Sequence, residues 1–168
     1  LAGNDVLENQ PLYRNSAPRK NNTWPPFFSI FITPLAISQK FLGLPVTKEI
    51  WYFFNFAALV FAIEIISYLI CKKRPLFFKK KDFDFTSDLV YVPILLLLPA
   101  LVSNFFMLQI NALILFLVCF GLLMHLKKKP LLAGMFFGLA GAIKAYPGLF
   151  AIYFLFRKQW KTSFSIIM

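Results

Sequence analysis

Acidic residues are scarce in this chain: 7 Asp and Glu stand against 18 Lys and Arg in 168 residues, a formal charge of +11. Cysteine is scarcer still. Cys71 and Cys119 are far apart and each lies inside an apolar run, which argues for two small buried thiols and against a disulfide or a metal site. There is no paired His/Cys ligand set, no glycine-rich phosphate loop and no nucleophile elbow, so no familiar catalytic set is visible and nothing calls for a cofactor or a metal. No signal-peptide pattern opens the chain. What is plentiful is apolar: 59% of the residues are hydrophobic, 18% are aromatic, and the mean hydropathy is +0.68. Soluble domains are about 45–50% apolar even with glycine counted, and disordered chains far less, so neither class fits.

The excess positive charge points away from nucleic acid because of where it lies. Lys72, Lys73, Arg74, Lys79, Lys80 and Lys81 form one cluster, Lys127–Lys129 a second, and Arg157, Lys158 and Lys161 a third, all between long apolar runs. Basic loops between apolar runs obey the positive-inside rule of integral membrane proteins. The expected fold class is therefore all-α and integral to the membrane, a multi-span helical bundle in a cell membrane, in the first instance a bacterial cytoplasmic one. A start at Leu1 rather than Met and an end at Met168 within an apolar run predict an internal piece of a longer protein.

Residues 1–50 read as an extracytoplasmic loop with a juxtamembrane helix. The apolar stretch Phe27–Leu44 is interrupted by Pro34 and by Ser38, Gln39 and Lys40, and is too short and broken for a span of about 20 apolar residues. The bundle is expected over 51–168, with spans near 51–71, 88–106 and 110–126. Trp51 and Tyr52 serve as interfacial anchors of the first, Thr86 or Ser87 caps the second, and a further span starts at 162–168. Between them, 131–156 has cations at both ends, Lys144 in its middle and the helix-breaking Tyr146-Pro147-Gly148. This predicts a hairpin of two helices of about 13 residues each, near 20 Å long, with both ends inside. Gly134, Gly138 and Gly141, with Ala133, Ala140 and Ala142, give its first arm a small-residue face for close packing. With the basic clusters in the cytoplasm, residues 1–50, the Asn104–Asn111 loop and the hairpin tip all face outward.

Ionisable groups within a membrane are functional candidates, because their burial is costly unless they are paired or wetted. An ammonium at Lys144 can hold a phosphate or carboxylate as a point charge; snorkelling to the interface is the plainer alternative, and the adjacent Tyr146 and re-entrant geometry favour the first. Gln109 and Asn111, with Asn104 nearby, can hydrogen-bond a hydroxyl-rich ligand or simply link helices. Glu64 reads first as a structural pairing residue and second as part of a proton path. Asp82 and Asp84 form an acid-x-acid pattern beside Lys79–Lys81, best read as charge compensation, and His125 suits the C-terminus of a helix. Asp5 or Glu8 could act as general base toward an acceptor hydroxyl, although loop solubility accounts for both.

An ordered set of segments then carries a resemblance. Gln109-Ile-Asn111, the lysines 127–129, Leu132-Ala133-Gly134, Gly138-Leu-Ala140, Lys144-Ala-Tyr146-Pro147 and Arg157-Lys-Gln-Trp160 resemble glycosyltransferase family 87. Upstream, Gln10-Pro-Leu-Tyr13, Trp24-Pro25-Pro26-Phe27-Phe28 and Thr33-Pro34-Leu35-Ala36 resemble its first extracytoplasmic loop. The family's fold is the C-type one, here in part, and its multi-pass members use polyprenyl-phosphate sugars as donors. Two positions depart from the pattern. The family has a glycine just before Gln-x-Asn, where this chain has Leu108. Its catalytic aspartate would precede Leu1, and Asp5 falls too late to replace it.

The resemblance implies an inverting transfer of a hexose or pentose from a polyprenyl-phosphate donor to a hydroxyl of a lipid or glycan acceptor on the extracytoplasmic side. Lys144 would meet the leaving phosphate, with Gln109, Asn111 and Tyr146 as further substrate contacts. Membrane lipids are the other expected partners, and no nucleic acid is. The alternatives are a transporter or flippase piece with a substrate-binding re-entrant hairpin, or another C-type lipid-sugar transferase.

Overall fold

The computed structural model describes residues 6–8, 25–71 and 88–168, and no strand occurs among them. Asp5, the cluster Lys72–Lys81, Asp82, Asp84 and the expected cap at Thr86 or Ser87 lie outside the described residues. In chain order the helices are α1 (Pro26–Phe31), α2 (Thr33–Cys71), α3 (Asp88–Phe106), α4 (Asn111–Leu126), α5 (Pro130–Ile143), α6 (Phe150–Phe156) and α7 (Trp160–Ile167). A 3-10 turn, Tyr146–Leu149, precedes α6.

Three of the helix junctions share one backbone device. At the end of α3, Gln109 N–H donates to Asn104 O and Leu108 N–H to Phe105 O. At the end of α4, Lys129 N–H donates to Met124 O and Lys128 N–H to His125 O. At the end of α6, Gln159 N–H donates to Phe154 O and Lys158 N–H to Leu155 O. Each is a Schellman turn, which satisfies the last helical carbonyls and needs one residue in the left-handed region. Glycine ordinarily supplies it, but here Leu108 (φ 52°), Lys128 (φ 58°) and Lys158 (φ 56°) do. The chain reverses at once, and the next helix starts within three residues.

Helix α2 bends at Gly43 (φ 80°, ψ 166°), a conformation open to glycine. Pro45 then sits in the first turn of the following segment, where its missing N–H costs nothing. The buried Thr47 hydroxyl donates to Gly43 O at 2.9 Å and lies 3.3 Å from the Ser38 hydroxyl, which holds the bend. The helix that includes 51–71 thus begins just after Gly43 and passes residue 50 without a break. Lys48 and Glu49 lie exposed on its first turns.

Side-chain contacts give the helix directions. Trp51 reaches Leu108 and Phe61 meets Phe116 (6.1 Å between ring centroids), so α2 and α4 run parallel. Phe137 lies over Gly121, where a Cβ would come within 3.1 Å of the ring, so α4 and α5 run antiparallel. Phe137 also packs on Phe150 (4.7 Å) and Phe154 (5.4 Å), folding α6 back along α5. The hairpin arms are unequal: α5 has 14 residues and α6 only 7, because the chain leaves the helix already at Lys144 (φ −148°, ψ 123°) and spends four further residues in the 3-10 turn.

Two glycines of α5, Gly134 and Gly138, turn to α7, while Gly141 lies against Gly148 of the 3-10 turn. A Cβ on Gly134 would collide with Ser165 Cβ, and one on Gly138 would lie 2.8 Å from Ile166 O. Ser165 Oγ donates to Leu131 O (2.9 Å) and Ser163 Oγ to Ala151 O (2.8 Å), which ties α7 to both arms. Ala133 and Ala140 are fully buried, each in one of two apolar clusters. One joins Phe28, Trp51, Ile110, Ile114, Leu117 and Ile143; the other joins Met124, Phe137, Ala151, Phe154 and Ile166.

Pro26–Ile70 is the helical stretch, among the described residues, that is long and apolar enough to cross a membrane by length and composition. Leu95–Phe106, Asn111–Leu126, Pro130–Ile143 and Tyr146–Phe156 are apolar but shorter. Leu95–Leu98 of α3 are all exposed, so this apolar helix covers little of its own surface with the described residues.

The glycine contacts make a direct expectation. Gly138→Val should lower the stability by about 1–3 kcal/mol, because the Ile166 carbonyl is backbone and cannot swing aside. Gly148→Ala should change it by no more than about 0.5 kcal/mol, since nothing lies within 4 Å of the added Cβ. Thermal unfolding of the detergent-solubilised variants measures both.

Candidate functional site

The bundle has two polar ends of different character. Lys127–Lys129, at the turn from α4 to α5, and Arg157, Lys158 and Lys161, at the turn from α6 to α7, share one end, where the tilted rings of His125 and Phe154 lie 4.8 Å apart. At the other end the turn from α3 to α4 meets the C-terminus of α5, about 24 Å away along the 16 residues of α4.

Four residues singled out in the sequence converge there. Lys144 N–H still bonds Ala140 O, but its extended backbone carries the side chain across to the first turn of α4. Its Nζ donates to Asn111 Oδ1 at 3.1 Å, and Asn111 Nδ2 donates to Gln109 Oε1 at 2.5 Å. The ammonium lies 5.7 Å from the centroid of the Tyr146 ring, at the long end of cation–π reach. Lys144 and Asn111 are half-buried, Gln109 and Tyr146 exposed. The group is thus wet on one side and anchored on the other.

The placement of Lys144 is electrostatically unusual. Asn111 is the first residue of α4, so the ammonium stands beside the positive end of that helix dipole, an arrangement worth about 0.3–1 kcal/mol against a cation. His125, in the last turn of the same helix, is placed as the dipole favours. Two sources of positive potential therefore meet at the polar end, which suits an anionic ligand.

Other sequence candidates stay apart. Asn104 contributes its backbone carbonyl to the Schellman turn, while its buried Oδ1 meets no partner among the described residues. Glu64 is buried within α2, about 20 Å along the helix from Trp51, and so sits well below this cluster. Glu8 is exposed. Trp51 corrects the sequence reading. Expected as an interfacial anchor, it is only 8% exposed, and its indole N–H donates to Leu108 O at 3.2 Å. It clamps the turn that presents Gln109 and Asn111. Asn55, one turn further on and 2% exposed, donates to Trp51 O at 3.0 Å and was not anticipated; its only signal was a lone amide in an aromatic run.

The sequence profile described as Glycosyltransferase family 87 matches residues 22–168. The chain belongs to glycosyltransferase family 87. Comparisons with curated proteins and with solved structures give no match. Family 87 members are membrane proteins that transfer a sugar from a donor to an acceptor, so this is a transferase in that general sense. Leu108 stands just before Gln-x-Asn, where the resemblance implied a glycine. That position is the left-handed residue of a Schellman turn, which glycine occupies freely and Leu108 occupies under strain.

Two substitutions at this turn should act in opposite directions. Leu108→Gly should stabilise the protein by up to about 1 kcal/mol by releasing the left-handed strain. Trp51→Phe should destabilise it by about 1 kcal/mol by removing the hydrogen bond to the turn carbonyl. Unfolding midpoints of the two variants against the parent chain decide the matter.

Proposed function

We propose that the protein is a multi-pass membrane glycosyltransferase that moves a hexose or pentose from a polyprenyl-phosphate donor to an acceptor hydroxyl of a lipid or glycan, on the extracytoplasmic side. The observation that carries this reading is the Lys144–Asn111–Gln109 chain of hydrogen bonds at the end of the bundle opposite the cationic turns. With Lys127–Lys129 and Arg157–Lys161 in the cytoplasm, as the positive-inside rule requires, the chain of polar groups faces out. The exposed apolar surface of Phe53, Phe54, Phe56 and Leu95–Leu98 is then the lipid-facing one. Family membership favours a transferase over a transporter, and Glu64 lies too deep to serve this cluster.

In the reaction, the acceptor oxygen attacks the anomeric carbon, its proton passes to a carboxylate, and the bond from that carbon to the phosphate oxygen breaks with inversion. The electron pair leaves on the lipid phosphate. The resemblance assigns the carboxylate to an aspartate that would precede Leu1, and Asp5 falls too late in the pattern to replace it. Lys144 stabilises the negative charge that grows on the departing phosphate, beside the positive end of α4. Tyr146 flanks the ammonium, and Gln109 and Asn111 orient the donor.

Lys144→Ala tests this in membranes carrying the full chain, with sugar transfer from a polyprenyl-phosphate donor as the readout. The expected result is a fall in kcat of about 10²–10³-fold with unchanged thermal unfolding. Unchanged kcat and KM would overturn the assignment.

A further inference from the structure

The hydrogen-bond chain has a direction, and an ammonium determines it. Lys144 carries three N–H groups and no acceptor, so the atom of Asn111 that faces it has to be the carbonyl oxygen. The amide NH2 of Asn111 is thereby committed to the opposite side, where it needs an acceptor and meets Gln109 Oε1. That in turn commits the Gln109 carbonyl inward and leaves its Nε2, a double donor on an exposed residue, toward the surroundings. Reversing either amide would set two donors against each other. The charge on one side chain thus orients two neutral ones in sequence, and both amide oxygens point into the chain.

We propose that Asn111 is a positioning residue that fixes Lys144 and Gln109 as a donor-only cradle for a phosphate monoester. A sugar hydroxyl both donates and accepts, and would call for outward-facing acceptors; an ionised phosphate only accepts. The cradle therefore takes the phosphate left on the lipid once its bond to the sugar breaks, and leaves the sugar ring to other groups. The lipid source of that phosphate rests on the function proposed above, whereas the polarity of the cradle rests on the hydrogen bonds alone.

Asn111→Asp separates the two. The carboxylate keeps the shape of the amide and an acceptor for Lys144, but it cannot donate to Gln109. Gln109 then turns its NH2 inward and presents a carbonyl outward, while a negative charge is added beside the ammonium. Asn111→Leu is the second variant: it adds no charge beside Lys144 but releases both Lys144 and Gln109. The probes are a polyprenyl monophosphate and the corresponding uncharged polyprenol, bound to the full chain in lipid nanodiscs, with inorganic phosphate as competitor. The parent chain should prefer the monophosphate; Asn111→Asp should lose about tenfold or more of that preference, and Asn111→Leu less. Binding of polyprenol and thermal unfolding should stay near the parent values. Competition by inorganic phosphate as strong as by the lipid phosphate supports the cradle and assigns it a soluble ligand.

An unchanged preference in Asn111→Asp overturns the inference and leaves the proposed function standing. A parent chain that transfers sugar without preferring the monophosphate does the same. A parent chain that prefers the monophosphate, loses that preference in Asn111→Asp and yet transfers no sugar supports the cradle and overturns the proposed function.

Discussion

A Cβ on Gly138 would stand 2.8 Å from the carbonyl oxygen of Ile166, so α5 and α7 meet backbone to backbone, and the neighbouring helices are arranged around that contact. With its glycine face against α7, α5 has to offer Phe137 and its alanines to α4 and α6. The Phe137 ring accordingly lies over Gly121 and packs on Phe150 and Phe154. Close packing of this kind gains dispersion from many small contacts and tolerates no added volume. It also sets the height at which α5 ends, and with it the level at which Lys144 leaves the helix opposite the first turn of α4.

Charge is distributed along α4 as its dipole would have it at one end and against it at the other. His125 and the following lysines accompany the negative end; Lys144 approaches the positive end and is held there by a side-chain amide. A cation kept where the helix opposes it is spent on something other than stability. In the reaction proposed above, the growing negative charge on the leaving phosphate is what it would meet.

Much of this architecture could be read along the chain. The basic clusters at Lys127–Lys129 and Arg157–Lys161 mark two of the reversals, and Tyr146-Pro147-Gly148 marks the interruption of the hairpin, because charge and proline act locally. The mutual contact of Gln109, Asn111, Lys144 and Tyr146 was foreshadowed by their common side of the bundle. Other features left no such trace. No glycine announces the Schellman turns, since leucine and lysine occupy the left-handed position in all three. The span expected from residue 51 belongs to a helix that starts earlier, just after Gly43, with Lys48 and Glu49 on its exposed face. Trp51 has the composition of an interfacial anchor, and only its hydrogen bond to Leu108 reveals a clamp.

By itself, then, the sequence determined helical character, the alternation of apolar runs with basic turns, and the identity of the polar residues available at one end, because each depends on residue type and near neighbours. Tertiary structure alone decided which faces meet, how unequal the hairpin arms are, and which way each amide of the Lys144–Asn111–Gln109 chain points. Those depend on contacts between residues more than thirty positions apart, such as Lys144 with Asn111, and on the rule that a donor facing a donor is not tolerated.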